Sequence, residues 1–309
     1  MAKILVSGGA GFIGSNLVDK LIELGHQVVV VDNLFSGKKD YVNDQAVFYQ
    51  IDICQAPELE EVFAREKFDY VFHLAAQIDV RKSVEDMELD NRINVLGALN
   101  VLESSHRHGV KKIIFTSSGG AIYGFPEEIP TPENYATNPV SPYGINKLVF
   151  EKYLNYYHRV FGQKYLNARL ANVYGPRQYK GGEAGVIAIF INNAVEGKTS
   201  YIYGDGLQTR DFIYVDDVVR ALVSKMDDET VGTFNIGTGK ESSLLEIVSA
   251  IEEALGHKID IEFQPAKLGE ERRSCLKTDL AKKVLDWQAQ VELSDGIKRT
   301  IAWSKDNLN

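Results

Sequence analysis

The stretch Lys3-Ile-Leu-Val-Ser7, Gly8-Gly-Ala-Gly11-Phe12-Ile13-Gly14, Ser15 to Leu24, Gly25, Gln27 to Val31 and Asp32 decides the fold. Lys3–Ser7 is apolar and β-branched, which predicts a buried strand. From Ser15 to Leu24, the residues Leu17, Val18, Leu21 and Leu24 share one helical face, and Gly25 is a C-terminal stop. Gln27–Val31 predicts a second buried strand that ends in an acid. In this order the glycines acquire roles. Gly8 permits a tight turn, Gly11 lets backbone approach a pyrophosphate, and Gly14 lets helix and strand pack closely. The helix N-terminus offers unpaired N–H groups to an anion, and Phe12 and Ile13, inside the glycine turn, join the cofactor-binding set. Asp32 lies 18 residues past Gly14, where a carboxylate accepts hydrogen bonds from ribose hydroxyls and repels a 2′-phosphate. The reading is a dinucleotide site that favours NAD over NADP.

The rest of the chain is consistent with that start. The loop after Asp32, including Asn33, Ser36 and Gly37, would curl around the adenosine end, and Asp52 and Ile53 leave the next short strand beside it. Tyr70–Leu74 predicts a buried strand followed by Ala75-Ala76-Gln77, small residues that leave room for a ligand at the strand end. His73, inside that strand, reads as a core histidine. Glu88 to His108 predicts one long helix, with Asn94 able to face the cofactor. Lys112–Thr116 predicts another strand, running into Ser117-Ser118-Gly119-Gly120. Five of the chain's eight prolines then fall between Pro126 and Pro142, a rigid surface excursion. A helix from Tyr143 to about Phe161 and a strand over Tyr165–Ala171 follow. Strands and helices alternate to this point, which predicts a doubly wound parallel sheet. Beyond Asn172 the elements are shorter and mixed, and Gly181, Gly182 and Gly185 mark a mobile loop.

Composition sets the outer bounds. The chain has 309 residues, 44% hydrophobic and 25% charged, with net charge −9. That balance disfavours nucleic acid and anionic membranes as partners. Cys54 and Cys275 match no metal spacing and read as two reduced thiols, so no metal site is expected. No stretch approaches a membrane span, and a soluble cytoplasmic protein is the default expectation.

Tyr143 and Lys147 stand four apart and share a helical face. An ammonium near a phenol favours the phenolate, and a nicotinamide cation would push the same way, so the pair reads as a general base working near neutral pH.

Several motifs together resemble the extended short-chain dehydrogenases/reductases, and within them the UDP-glucose 4-epimerases (UDP-galactose 4-epimerases). They are Gly8-x-x-Gly11-x-x-Gly14, Asp32-Asn33, His73-Leu74-Ala75-Ala76, Ser117-Ser118 before Tyr123-Gly124, Tyr143-x-x-x-Lys147 and Arg210-Asp211-Phe212-Ile213-Tyr214-Val215-Asp216-Asp217. The resemblance runs nearly end to end. It implies a Rossmann-like NAD-binding domain over residues 1–171 and a smaller mixed α/β domain over 172–309, mainly for a UDP-sugar, with some segments returning to the first. It implies that Tyr143 takes the proton from the sugar 4-hydroxyl and that Lys147 holds the nicotinamide ribose. Ser118, with Ser117 as fallback, would bridge tyrosine and sugar oxygen; counting back from Tyr123 lands on Gly119 instead. Hydride would pass from C4 to a tightly bound NAD and return to the other face of a rotated 4-keto sugar, leaving the cofactor regenerated.

By the same resemblance Asn172, Arg210 and Lys267 would contact the diphosphate. Lys267 replaces a more usual arginine, and Arg272 could compensate for the lost fork. Tyr201 and Tyr203 would bracket the uracil, and Val186 joins the sugar-binding set. Ser274 falls where a bulky or a small residue stands beside the hexose; a small one leaves room for an N-acetyl group. A homodimer through Glu88–His108 and Tyr143–Phe161 is implied too. The rival readings are a UDP-glucuronate 4-epimerase, a nucleotide-sugar dehydratase or decarboxylase, and a non-catalytic NAD sensor. Gly119 and Gly120, where a dehydratase would place an Asp-Glu pair, argue against elimination.

Overall fold

A computed structural model describes residues 1–178, 185–266 and 271–307. Strand β1 (Lys3–Ser7) turns through Gly8–Gly11 into helix α1 (Phe12–Glu23), and β2 (Gln27–Val31) follows. Then come β3 (Val47–Tyr49), α2 (Ala56–Glu66) and β4 (Tyr70–His73). The next stretch holds α3 (Val80–Glu85), α4 (Met87–Asn91), a π-helical turn over Arg92–Gly97 and α5 (Ala98–Arg107). Strand β5 (Lys112–Ser118), short helix α6 (Gly119–Ile122), long helix α7 (Pro142–Phe161) and β6 (Lys164–Leu170) complete the alternation.

Beyond β6 lie β7 (Asn172–Tyr174), α8 (Val186–Glu196), β8 (Ser200–Tyr203), β9 (Thr209–Arg210), β10 (Phe212–Tyr214) and α9 (Val215–Val223). The chain closes with β11 (Gly232–Ile236), β12 (Ser242–Ser243), α10 (Leu244–Leu255), β13 (Ile261–Gln264), β14 (Arg273–Ser274), α11 (Asp279–Leu285) and α12 (Leu293–Asn307).

The main sheet has seven parallel strands in the order β11-β6-β5-β4-β1-β2-β3. The chain winds outward from β1 to β3, then returns to start again at β4 on the other side. The order therefore reverses between β1 and β4, and a crevice opens there at the carboxyl ends. Alternate residues of β1 serve opposite faces: Ile4 and Val6 join the layer with Leu17, Leu21, Ile213 and Val218, whereas Leu5 joins Val29, Phe63, Phe115 and Phe150. Sequence segments after residue 172 build three small sheets, β10-β7, β12-β9-β14 and β13-β8, while β11 pairs with β6 in the large one.

One expectation fails in an informative way. The region Glu88–His108 is not one helix, because α4 passes into a π turn over Arg92–Gly97 before α5 begins. The wider turn carries Asn94 inward, where its Nδ2 donates to the Gln77 carbonyl at 2.9 Å and its Oδ1 accepts from the Gln77 N–H at 3.0 Å. Two hydrogen bonds to a loop distant in sequence outweigh helical regularity here. The proline-rich excursion is docked rather than free: Thr131 N–H donates to the Cys275 carbonyl and Lys277 N–H returns the bond to Thr131, both at 2.9 Å.

Candidate active site

A cavity of about 490 Å³ opens at the crevice. Its walls hold Gly8, Gly11, Phe12, Ile13, Gly14, Asp32, Asn33, Ser36, Asp52, Ile53 and Leu74 to Gln77 at one end, and Ser118, Tyr143 and Lys147 at the other. The glycine turn fits its reading atom by atom. A Cβ on Gly14 would lie 2.0 Å from the Gly8 carbonyl oxygen, which no adjustment could accommodate. Gly8 has φ +76° and would press a Cβ to 2.6 Å from the Ala75 nitrogen. Gly11 meets only the Gly8 oxygen at 3.3 Å, so its exposed side belongs to the cavity. No side chain caps α1, so its first-turn N–H groups are available to an anion there.

Asp32 is buried, and burial raises its carboxyl above the ordinary range against backbone bonds from Leu34 and Ala10. Those bonds, at 2.8 Å to Oδ1 and 3.0 Å to Oδ2, use one acceptor position on each oxygen. A carboxylate has about four such positions, so two remain for a ribose. Asp52 accepts from Asn33 Nδ2 at 3.1 Å and from Cys54 N–H at 2.8 Å, forming the adjoining wall. Glycine cradle, free helix terminus and acid together fit an adenine dinucleotide. Gly37 packs behind this wall against Ala10, and Asn94 is turned away from the cavity onto Gln77; neither lines it.

At the far end α7 carries Tyr143 and Lys147, the pair singled out by its spacing in the sequence. Ser141 caps it by accepting from Gly144 N–H at 3.1 Å, Pro142 opens the first turn, and Tyr143 and Lys147 follow on one face. Successive residues of β5 point to opposite faces of the sheet, so its two serines meet different parts of α7. Ser118 shares a hydrogen bond with the Tyr143 hydroxyl. Ser117, one residue earlier, donates to Glu151 Oε1 at 2.6 Å, and Glu151 is itself paired with Arg169 at 2.6 Å. Gly119 has no side chain to contribute, and a Cβ there would strike Leu276 at 2.5 Å.

Lys147 is buried; its Nζ donates to the Thr116 carbonyl at 3.0 Å and lies 4.7 Å from the Phe115 ring centroid and 5.8 Å from that of Tyr143. Burial pulls its ammonium down to about 8, against the field of Asp90 and Glu151. Tyr143 moves the opposite way to the expectation from spacing. Burial pushes its phenol up to about 12, the Ser118 hydrogen bond pulling down and Asp90 pushing further up. Burial and Asp90 thus set the direction, and the Lys147 ammonium hydrogen-bonds to Thr116 instead. Both favour the neutral phenol, and a positive charge brought into the cavity would act against them.

A second cavity of about 240 Å³ adjoins the first and shares Ser118 and Tyr143 with it; Gly120, Asn172 and Val186 are among its other walls. Arg210 and Ser274 lie side by side across β9 and β14, outside both cavities. Ser274 hydrogen-bonds Glu271, whose carboxyl burial raises to about 7 against the pull of Arg210. Arg272 forks onto Asp205 at 3.0 and 3.1 Å, so that part of its guanidinium is already engaged. Tyr201 and Tyr203 occupy the exposed face of β8, with Ser200 and Ile202 inward. Lys267, Gly181 and Gly182 lie outside the described residues. Two cavity cations were not found from sequence: Lys82 and Arg92 sit on α3 and the π turn, elements too short or irregular to show a helical period.

His73 is fully enclosed, its Nδ1 2.7 Å from Ser7 Oγ and its ring stacked on Phe115 and edge-on to Phe150. Both thiols are pushed up to about 12 by burial and neighbouring acids, and so are poor nucleophiles. Asp211 and Asp217, inside the Arg210 motif, are structural. Asp211 accepts from Thr238 and Gly239, and Asp217 from the N–H groups of Gln290 and Val291. Among the described residues no helix is long and apolar enough to cross a membrane.

Comparison with known proteins follows the same lines. Residues 4–237 match the NAD dependent epimerase/dehydratase family. A putative UDP-glucose 4-epimerase of Methanocaldococcus jannaschii is 44% identical over 98% of this chain and 99% of its own length. The Thermotoga maritima UDP-glucose 4-epimerase crystallised with UDP-glucose superposes with TM-score 0.97 at 45% identity, over 99% of this chain and all of that one. The Thermus thermophilus UDP-glucose 4-epimerase complex with NAD gives 0.93 at 38% identity, over 99% of each chain. Matched by the family's model over residues 4–237 and by these relatives over nearly its whole length, the chain belongs to the NAD-dependent epimerase/dehydratase family.

Proposed function

We propose that this protein is a UDP-glucose 4-epimerase, inverting C4 of UDP-galactose and UDP-glucose. The observation that carries the reading is that Ser118 and Tyr143 are the two hydroxyl-bearing side chains in the wall shared by the larger cavity and the smaller one, the rest of that wall being Ile78, Leu170, Ala171 and Val173. A sugar in the smaller cavity would present its 4-hydroxyl to that wall. Tyr143 takes the hydroxyl proton and returns it, with Ser118 carrying the hydrogen bond between phenol and sugar oxygen. Lys147 donates to the ribose next to the wall and keeps positive charge beside the phenol. Gly8 to Gly14, Asp32 and Asp52 hold the adenosine diphosphate half, and NAD, when bound, supplies the hydride acceptor and donor. Because the cycle is redox-neutral, the cofactor stays on the protein between turnovers.

Asn172, Arg210 and Lys267 are assigned to the UDP diphosphate, and Tyr201 and Tyr203 to the uracil. Ser274, small and beside Arg210, is assigned to the hexose on the family resemblance, although it stands outside the walls of the smaller cavity; a small residue there would extend the substrate range to UDP-GalNAc and UDP-GlcNAc. The chain is also assigned as a homodimer. Leu96 on the π turn and Ile145, Tyr153, Tyr156, Val160 and Phe161 on α7 are exposed apolar residues on the helices that would pair, a concentration that favours an interface.

Tyr143→Phe tests the assignment. The variant should fold and keep NAD while turnover of UDP-galactose falls by about 10²–10⁴. Near-wild-type turnover with fold and NAD intact would remove Tyr143 from the mechanism.

A further inference from the structure

The proton-transfer pair sits beside a buried charge that the reading above does not use. Asp90, on α4 just before the π turn, is fully buried. Its Oδ1 accepts from Gln77 Nε2 at 2.8 Å and from Asn94 Nδ2 at 3.0 Å. Its Oδ2 accepts from Asn146 Nδ2 at 2.7 Å, and Asn146 is the residue before Lys147. Three neutral amides thus clasp the carboxylate, and none of them cancels its charge. Among the described residues Asp90 has no cation at ion-pair distance, and Lys147 likewise has only the Thr116 carbonyl. The other buried acid nearby, Glu151, is paired with Arg169 through two hydrogen bonds, at 3.0 Å from Nε and 2.6 Å from Nη2, and acts on Lys147 less than Asp90 does. Asp90 and Lys147 remain as a buried anion and a buried cation without ion-pair partners, linked through Asn146, which bonds the one and precedes the other in α7. An isolated buried charge is costly, so each makes the other tolerable.

We infer that Asp90 is a positioning residue: its amide-clasped carboxylate is the counter-charge of the Lys147 ammonium and sets the pH range in which Tyr143 and Lys147 act as a pair. The inference rests on the proton-transfer roles proposed above. Asp90 and Asn94, four apart and on one face of the helical stretch, both bond the same loop residue, Gln77. The field of Asp90 acts on both groups in the same direction, raising the phenol and the ammonium alike. Removing the charge therefore moves both downward.

The other ionisable groups around the pair leave this sign unchanged. From β4, His73 is buried and held neutral, pushed down to about 3. From β6 and α7, Arg169 and Glu151 are already paired. From α3, α4 and the π turn, Arg81, Glu85, Asp86, Glu88 and Arg92 are exposed and screened by water, and Lys82 is half-buried on the cavity wall.

Asp90→Asn is the test. The substituted amide keeps an oxygen for Gln77 and Asn94, and rotation of the Asn146 amide restores the third bond while giving up the 3.4 Å bond that Asn146 Oδ1 accepts from Asn91 Nδ2. The expected result is an acid shift of both limbs of the kcat/KM–pH profile for UDP-galactose by about one pH unit, with the Lys147 side-chain NMR resonance of the free protein titrating lower by a similar amount. A reduced plateau with both limbs and the Lys147 titration unmoved would overturn the inference. The double variant Asp90→Asn with Asn146→Asp moves the carboxylate across one hydrogen bond and keeps both amide contacts. It should return the Lys147 titration and the limbs towards wild type, and it provides the test if the single variant does not fold. Failure of that return, in a folded protein, would also overturn the inference. Wild-type turnover of UDP-galactose tests the proposed function separately, and the Lys147 titration needs no turnover at all.

Discussion

Replacing His73 by Asn should flatten the acid side of the stability curve. His73 is enclosed by Ser7, Phe115 and Phe150, and burial pushes its imidazole down to about 3, with Lys147 adding to the effect. Its ordinary value is 6.5. Between those two values the unfolded chain binds a proton that the folded one excludes, so stability is intact above pH 6.5 and is lost as pH falls. The slope for one proton is about 1.4 kcal/mol per pH unit. Taking the loss from pH 6.5 down to pH 4.5, His73 accounts for between about 2 and 3 kcal/mol. Urea unfolding of both proteins at pH 7.0 and 4.5 measures it. The variant will lose some packing at both values, so the quantity to compare is the difference between pH values within each protein. That difference should be smaller in His73→Asn by about the stated amount. Equal differences in the two proteins would show that His73 is protonated in the fold, and would reopen it as a group that titrates at the active site.

Ser274→Tyr should abolish turnover of UDP-GlcNAc while leaving UDP-glucose turnover within about tenfold; a wild-type protein that ignores the acetylated sugar would end the size argument. Sedimentation should give twice the 34.5 kDa chain mass, and Tyr156→Lys with Val160→Glu on α7 should give monomer. A wild-type monomer would assign those exposed side chains elsewhere.

The parts of the fold that could be read in advance are those where local pattern and tertiary burial agree. Strands β1 and β2, joined by the glycine turn and α1, are buried on both faces, so their apolar runs are continuous, and the turn leaves no room for a side chain at Gly8 or Gly14. Tyr143 and Lys147 were legible because a spacing of four is a statement about one helix face. Ser117 and Ser118 were not separable, because the distinction depends on which turn of α7 each meets: Glu151 for the first, Tyr143 for the second. The π turn had no local signature. Its cause is the bonding of Asn94 and Asp90 to Gln77, 17 and 13 residues away. The same holds for Lys82 and Arg92, brought to the cavity by elements without a readable period. The raised phenol of Tyr143 shows the limit of spacing arguments about charge: proximity to Lys147 was legible, but the burial that outweighs it was not.

The most direct test of the central claim is to incubate the purified protein, with no NAD added, with UDP-galactose, UDP-GalNAc and UDP-galacturonate separately, and to resolve the products by NMR. Conversion of UDP-galactose to UDP-glucose, and of UDP-GalNAc to UDP-GlcNAc, is the predicted result. No conversion of any of the three, even after NAD is supplied, would contradict the epimerase reading and move the assignment to a decarboxylase, a dehydratase or a non-catalytic sensor.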